Sequence, residues 1–349
     1  MTISKAEELT YSNPIKALMM LLVVLYHSCA MWMGGWFSIP QVDAPLVATF
    51  AQWLNTFHVP VFVFFSGYIY CYLKFETDKY SNFGMVMRKK VCRLLIPYAF
   101  ICAIWAMPFW AFYYGPEKLI EKYVLAGSPS QLWFIVMLFM MFLTFELLTK
   151  AFSKKILEMK FINLVFCGLC YCSGVILGHF LPVNVAQIST TFMYVPIFWL
   201  GMALRQMDLT KFWNTTPLIF LFAHAALFVM QLSATANEGL VATVAQIALW
   251  PIIRIAGIFM AVSICGRLMK KTHYLEKSPP KPLTLFEQYS FQIYLLHQQI
   301  IWVVISVLNE YLIPVPIFIF ANFAISILVS LAISIVLDKC KITRFLLGR

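Results

Sequence analysis

The sequence predicts an all-α integral membrane protein of about ten transmembrane helices with both termini in the cytoplasm. Three observations lead there. First, 62% of the 349 residues are hydrophobic, only 12% are charged, and the mean hydropathy is +0.81. A soluble domain carries about 25% charged residues, so this chain lacks the polar surface to cover a water-facing globule. Second, ten mostly apolar stretches approach the 20 or so residues that a helix needs to cross a bilayer. Third, the basic residues between those stretches alternate in a way that fixes an orientation.

The stretches are 15–33, 48–72, 92–112, 131–149, 161–180, 187–204, 217–233, 241–264, 286–308 and 314–337. With the N-terminus inside, 23 of the 26 Lys and Arg residues fall in cytoplasmic segments. Only Lys118 and Lys122 lie in outer loops, and Arg254 lies within a span. A missed or extra helix would scramble this pattern. The run starting at Ala17 has no cationic region before it and is too long for a signal-peptide core, so it is expected to be a retained span. The long loops, 73–91 and 265–285, are expected inside, the second with an extended connector from Lys277 to Pro282. One integral domain is expected over 1–349, located in the cell membrane. The net charge of +11 belongs to this alternation, so no nucleic-acid partner is expected.

Nine cysteines, an odd number placed mostly in apolar stretches, read as small buried side chains. Cys167, Cys170 and Cys172 crowd one helix with no second ligand pair, so no metal site is expected. Ionisable groups inside a bilayer are costly, and each is a functional candidate. From a helical rise of 1.5 Å, His27 and His297 lie roughly 16 Å in from the cytoplasmic side, Arg254 roughly 20 Å and His58 roughly 24 Å. On neighbouring helices they would line one polar cavity. Lys16 and His27 are eleven residues apart, which at about 100° each is about 20° past three turns, so both share one stripe of the first helix.

Plainer readings exist for several of these. His224 reads as a helix–helix hydrogen bond, Glu146 as a local pair with Lys150 four residues on, and Arg254 as a side chain bonded to a carbonyl or a headgroup. Ser66-Gly67 reads as a place of close helix approach. The block Arg88-Lys89-Lys90…Arg93 reads either as a phosphate clamp or as a headgroup anchor.

In combination these residues resemble acyltransferase family 3. Lys16, ten intervening residues and His27 resemble its first-helix signature, in which the basic residue is usually Arg. Further similarities follow in order: His58-Val59-Pro60-Val61-Phe62 with Ser66-Gly67-Tyr68, the block from Arg88 through Arg93 to Pro97-Tyr98, Gln131-Leu132-Trp133-Phe134, and Ile293-Tyr294-Leu295-Leu296-His297. Gln131 stands where His is typical, so it is assigned no chemistry. The resemblance implies a ten-helix enzyme that moves an acyl group, acetyl above others, from cytoplasmic acyl-CoA to a saccharide or a surface or lipid-linked glycan. The membrane domain itself would receive the acceptor.

Such a transfer needs a base, oxyanion stabilisation and exclusion of water. His27 is the expected base, with Lys16 beside it as a catalytic cation. Arg254, His297 or His58 would supply the oxyanion contact or polar cavity. Arg88, Lys89, Lys90 and Arg93, with Lys16, would bind the phosphates of acyl-CoA and direct its arm toward His27. Direct attack is favoured over an acyl-histidine. A transporter or flippase for a glycan or organic solute is the competing class, although the paired broken helices common in transporters are not evident.

Overall fold

Apolar residues without a water-facing polar stripe make helices that lipid can surround. The computed structural model describes residues 5–77, 79–152, 159–205, 217–271 and 281–349, which are mostly helical and, among those residues, contain no strand. Ten of the described helices are long and apolar enough to cross a membrane: Ser12–Met33, Pro45–Phe75, Phe83–Tyr114, Ser130–Ala151, Phe161–Phe180, Val185–Arg205, Pro217–Thr235, Leu240–Lys271, Lys281–Leu308 and Val315–Leu337. They are called the first to tenth spans below. Each predicted stretch has its helix, so the all-α membrane expectation holds.

Several helices run past the predicted limits. The third begins nine residues early, at Phe83, because Asn82 caps it by accepting from Met85 N at 3.0 Å. Apolar content marks the part in hydrocarbon, whereas the backbone stays helical into the polar margin. The expected connector from Lys277 falls mainly outside the described residues, and Lys281-Pro282 already opens the ninth span. Proline is tolerated there because a first-turn N–H has no helical partner.

Prolines also shape the middle of two spans. A helical proline lacks an N–H and crowds the carbonyl four residues back. In the second span Pro60 therefore breaks the helix at Thr56-Phe57, leaving Pro45–Asn55 and His58–Phe75. In the third span a π-helical turn precedes each proline, Val91–Leu95 before Pro97 and Cys102–Ala106 before Pro108.

The chain divides into two compact units. One comprises Met1–Met33, Ala44–Tyr72 and Ile197–Ser290, and the other Gly34–Asp43, Leu73–Pro196 and Phe291–Arg349. In the first unit, the seventh and eighth spans form an antiparallel hairpin, with Phe220 and Phe259 stacked at 5.7 Å. The second and sixth spans cross at a reciprocal glycine contact. A Cβ on Gly67 would lie 2.0 Å from the Phe198 carbonyl oxygen, and one on Gly201 2.0 Å from that of Phe64. The close approach expected at Ser66-Gly67 is present.

In the second unit, the third span lies along the ninth. Trp105 Nε1 donates to Leu296 O at 3.2 Å and Ser306 Oγ to Tyr113 Oη at 2.9 Å. The sequence places the segment after Tyr114, with Lys118 and Lys122, in an outer loop. It folds back, so that Tyr98, midway along the third span, donates to Tyr123 O at 2.6 Å. Gln187 Nε2 donates to Ala126 O and Gly127 O at 2.8 and 2.9 Å. Lys118, Ala126, Ser130, Ala186 and Gln187 all have positive φ, a strain that these contacts must offset. Burial pushes the Tyr123 phenol up, and it holds the Lys122 ammonium below the usual lysine range, partly opposed by Glu121.

Candidate functional site

Lys16 and His27 both lie on the unbroken helix Lys5–Cys29, so the register that puts them on one stripe is kept despite Pro14. Both are half-buried. The Tyr26 ring lies 4.8 Å from the His27 ring and 5.1 Å from that of His58, so the two imidazoles flank one tyrosine. His58 opens the helix that follows the proline break and is buried. Its Nδ1 meets Leu54 O at 2.6 Å; a carbonyl can only accept, so Nδ1 carries the proton and Nε2 is the basic nitrogen.

Arg254 lies within electrostatic reach of His58. Its Nη1 donates to Trp250 O at 3.1 Å, and its guanidinium lies 3.8 Å over the Trp250 ring. Arg254 is thus oriented by its own helix. The first unit therefore brings three expected residues together: His27, His58 and Arg254.

His224 behaves as expected of a helix–helix hydrogen bond. Trp53 Nε1 donates to its Nδ1 at 3.1 Å, which leaves Nε2–H to donate to Thr56 Oγ1 at 2.9 Å. Thr56 passes its own proton to Trp53 O at 2.7 Å. Every polar atom of this buried ring is engaged in holding the segment where Pro60 breaks the second span.

The second unit holds the basic block and His297. Arg88, Lys89 and Arg93, with Met85 and Cys92, line an open cavity of about 330 Å³. Lys90 is turned away from it. Two residues after Arg88 is about 200° around a helix, and there the Lys90 ammonium sits 3.4 Å over Phe142 and 5.2 Å over Tyr80. The four cations expected to act as one clamp thus divide into three and one.

Glu146 differs from its expected local pairing. Its buried carboxylate meets Lys74 Nζ at 2.9 Å, and Lys150 lies 5.7 Å over the Phe83 ring. The second span runs on to Phe75, which puts Lys74 in its last turn and within reach.

His297 is fully buried. Its Nδ1 donates to Tyr294 O at 2.8 Å and to Ile293 O at 3.1 Å, again making Nε2 basic. Around it, Gln131 and Gln299 form a reciprocal amide pair at 2.8 and 3.2 Å, Gln131 Nε2 also donates to Leu295 O at 3.1 Å, and Tyr294 Oη donates to Gln131 O. Gln131 joins the fourth span to the ninth.

The protein-family model described as an acyltransferase domain, that of acyltransferase family 3, matches residues 10–338. The chain belongs to acyltransferase family 3. No curated protein and no solved structure gives a match.

Within this member of acyltransferase family 3, one buried cation escaped the sequence reading. Arg205, counted there as a cytoplasmic charge, is fully buried in the first unit. It donates to Tyr68 Oη at 3.0 Å, and its guanidinium lies 5.0 and 4.7 Å from the Tyr68 and Tyr72 rings. The available signal was Tyr68 itself, which closes the Ser66-Gly67-Tyr68 motif: a tyrosine beside a close helix crossing invites a cation from the partner helix.

Proposed function

We propose that this chain transfers an acyl group, acetyl above others, from cytoplasmic acyl-CoA to a hydroxyl of a saccharide or lipid-linked glycan across the cell membrane, with both its termini in the cytoplasm. The observation that carries the reading, beside family membership, is the state of the buried histidines. His58 and His297 each commit Nδ1–H to a main-chain carbonyl, which orients a basic Nε2 within an apolar span. Oriented imidazoles suit proton transfer.

In the reaction, the acceptor oxygen attacks the thioester carbonyl while His27 takes its proton, and Lys16 supplies a fixed positive charge on the same helical stripe. Arg254, a permanent cation and donor, stabilises the tetrahedral oxyanion. Collapse breaks the carbon–sulfur bond and releases coenzyme A as a thiolate, which takes up a proton. Arg88, Lys89 and Arg93 hold the donor's phosphates at their cavity.

Purified full-length protein in lipid discs tests this with acetyl-CoA and trial acceptors. Acceptor-dependent release of free thiol is expected. A transporter would release none. Replacing Arg88 and Arg93 together by Gln is expected to raise the KM for the donor by at least about tenfold with kcat little changed, since each charge-assisted contact is worth about 1.5–3 kcal/mol. An unchanged KM in folded double variant would make the block a headgroup anchor only.

A further inference from the structure

Gln298 and Trp302 stand one turn apart on the ninth span, with exposures of 7% and 1%. Side chains four residues apart share one helix face, their Cβ atoms about 5–6 Å apart. Among the described residues, Gln298 Oε1 and Trp302 Nε1–H have no hydrogen-bond partner. One atom can only accept and the other can only donate. Buried polar atoms ordinarily find partners, and two complementary exceptions on one face point to a ligand group that matches both.

A hydroxyl matches both from a single oxygen, giving its proton to Gln298 and accepting from Trp302. A carboxylate or phosphate would answer Trp302 but would meet Gln298 only if its amide turned to present Nε2–H. An ammonium would answer Gln298 and leave Trp302 without an acceptor.

The surroundings narrow the ligand further. Five rings enclose Trp302: Tyr114, Tyr113, Trp110, Trp36 and Phe37, with centroids 5.4 to 6.3 Å away. All five are half-buried, so each keeps part of its surface available. Flat apolar walls beside a matched donor and acceptor suit a ring that carries C–H faces and hydroxyls together.

Trp36 and Phe37 belong to the segment Gly34–Asp43, which is strapped over the cage. Phe37 N donates to Tyr114 Oη at 3.1 Å, and Asn309 Nδ2 donates to Ser38 Oγ and Ile39 O at 2.9 and 2.8 Å. At its start, Gly34 and Gly35 have φ of +82° and +79° with nothing crowding them within 4 Å. Glycine adopts such backbone angles without steric cost, which gives the strap a hinge at its start.

We propose that Gln298 and Trp302 form a hydroxyl-binding subsite for a sugar ring of the acceptor, walled by the Trp302 aromatic cage and covered by the strap. Naming the ligand as the acceptor rests on the acyl-transfer reading. The binding itself does not, so the two can fail separately.

The test uses full-length protein in lipid discs with ¹⁵N-labelled indoles, the Trp302 N–H resonance being assigned by its loss in Trp302→Phe. Methyl glycosides of glucose, galactose, mannose and N-acetylglucosamine are titrated in. A saturable shift of the Trp302 resonance is expected with at least one of them, and Gln298→Leu is expected to weaken that binding about tenfold. If no glycoside moves the resonance, or if Gln298→Leu binds equally well, the subsite is overturned. Thiol release from acetyl-CoA is followed on the same samples. Binding without release would sink the acyl-transfer reading and leave the subsite standing.

Discussion

Replacing His27 by alanine is expected to lower acyl transfer about 10²–10⁴-fold, the usual cost of losing a general base, while the protein still inserts and purifies as a single species. The imidazole is half-buried and its helix buries many apolar side chains of its own, among them Met19, Met20, Val23 and Val24, so one truncated side chain does not endanger the fold. Wild-type transfer should itself fall on acidification, because a protonated imidazole cannot accept the acceptor's proton. Lys16→Arg should keep activity, because it preserves the cation, and Lys16→Ala should be impaired mainly in use of the donor. The deciding measurement is thiol release by monodisperse His27→Ala protein across pH. Rates equal to wild type would remove His27 from the mechanism and move the base to His297.

The second large effect concerns folding. Gly67→Val is expected to destabilise the first unit by about 3 kcal/mol or more, the upper end of overpacking costs. Its Cβ would lie 2.0 Å from a backbone carbonyl oxygen, which no rotamer change can relieve. The second and sixth spans would have to separate, and the Arg205–Tyr68 contact sits one residue from the crossing. Gly168→Ala is the control: it lies within the fifth span's helix with nothing within 4 Å, and should be neutral or stabilising by about 0.5–1 kcal/mol. Thermal unfolding of the two variants in one detergent compares them. Equal midpoints would mean that the crossing is looser than its geometry.

The spans were legible because lipid imposes a simple rule: a stretch that buries no charge and satisfies its backbone internally must be a helix of sufficient length. Gly67 and His224 were legible for a similar reason, since small and weakly polar residues inside spans have few uses other than helix contact. What escaped depends on contacts far apart in sequence. Glu146 finds Lys74 across 72 positions, and no local pattern announces that pairing. Arg205 is as basic as any cytoplasmic anchor, and only packing against Tyr68 and Tyr72 sets it apart. The basic block was read as one unit because its residues adjoin in sequence, whereas a helix turns Lys90 away from Arg88 within two residues. The folded segment after Tyr114 is hard to read because, Gly115 apart, its positive-φ positions are Lys, Ala and Ser, which give no glycine signal.

The third span has a consequence for the membrane around it. Its 32 residues extend roughly 48 Å, well beyond the ~30 Å hydrocarbon core of a typical bilayer. Tilting takes up part of that mismatch, and its first two turns, Phe83–Lys90, carry too much charge to take up more by immersion. The excess therefore protrudes as a cationic post at headgroup height or above, bearing Arg88 and Lys89. How far the post stands clear depends on bilayer thickness: a thicker membrane draws it down among the lipid phosphates, and a thinner one lifts it toward open water. Lipid composition thus sets how strongly headgroups compete with a soluble anion for the same cations, which under the proposed function would couple recruitment of a charged donor to the thickness of the membrane that houses the protein.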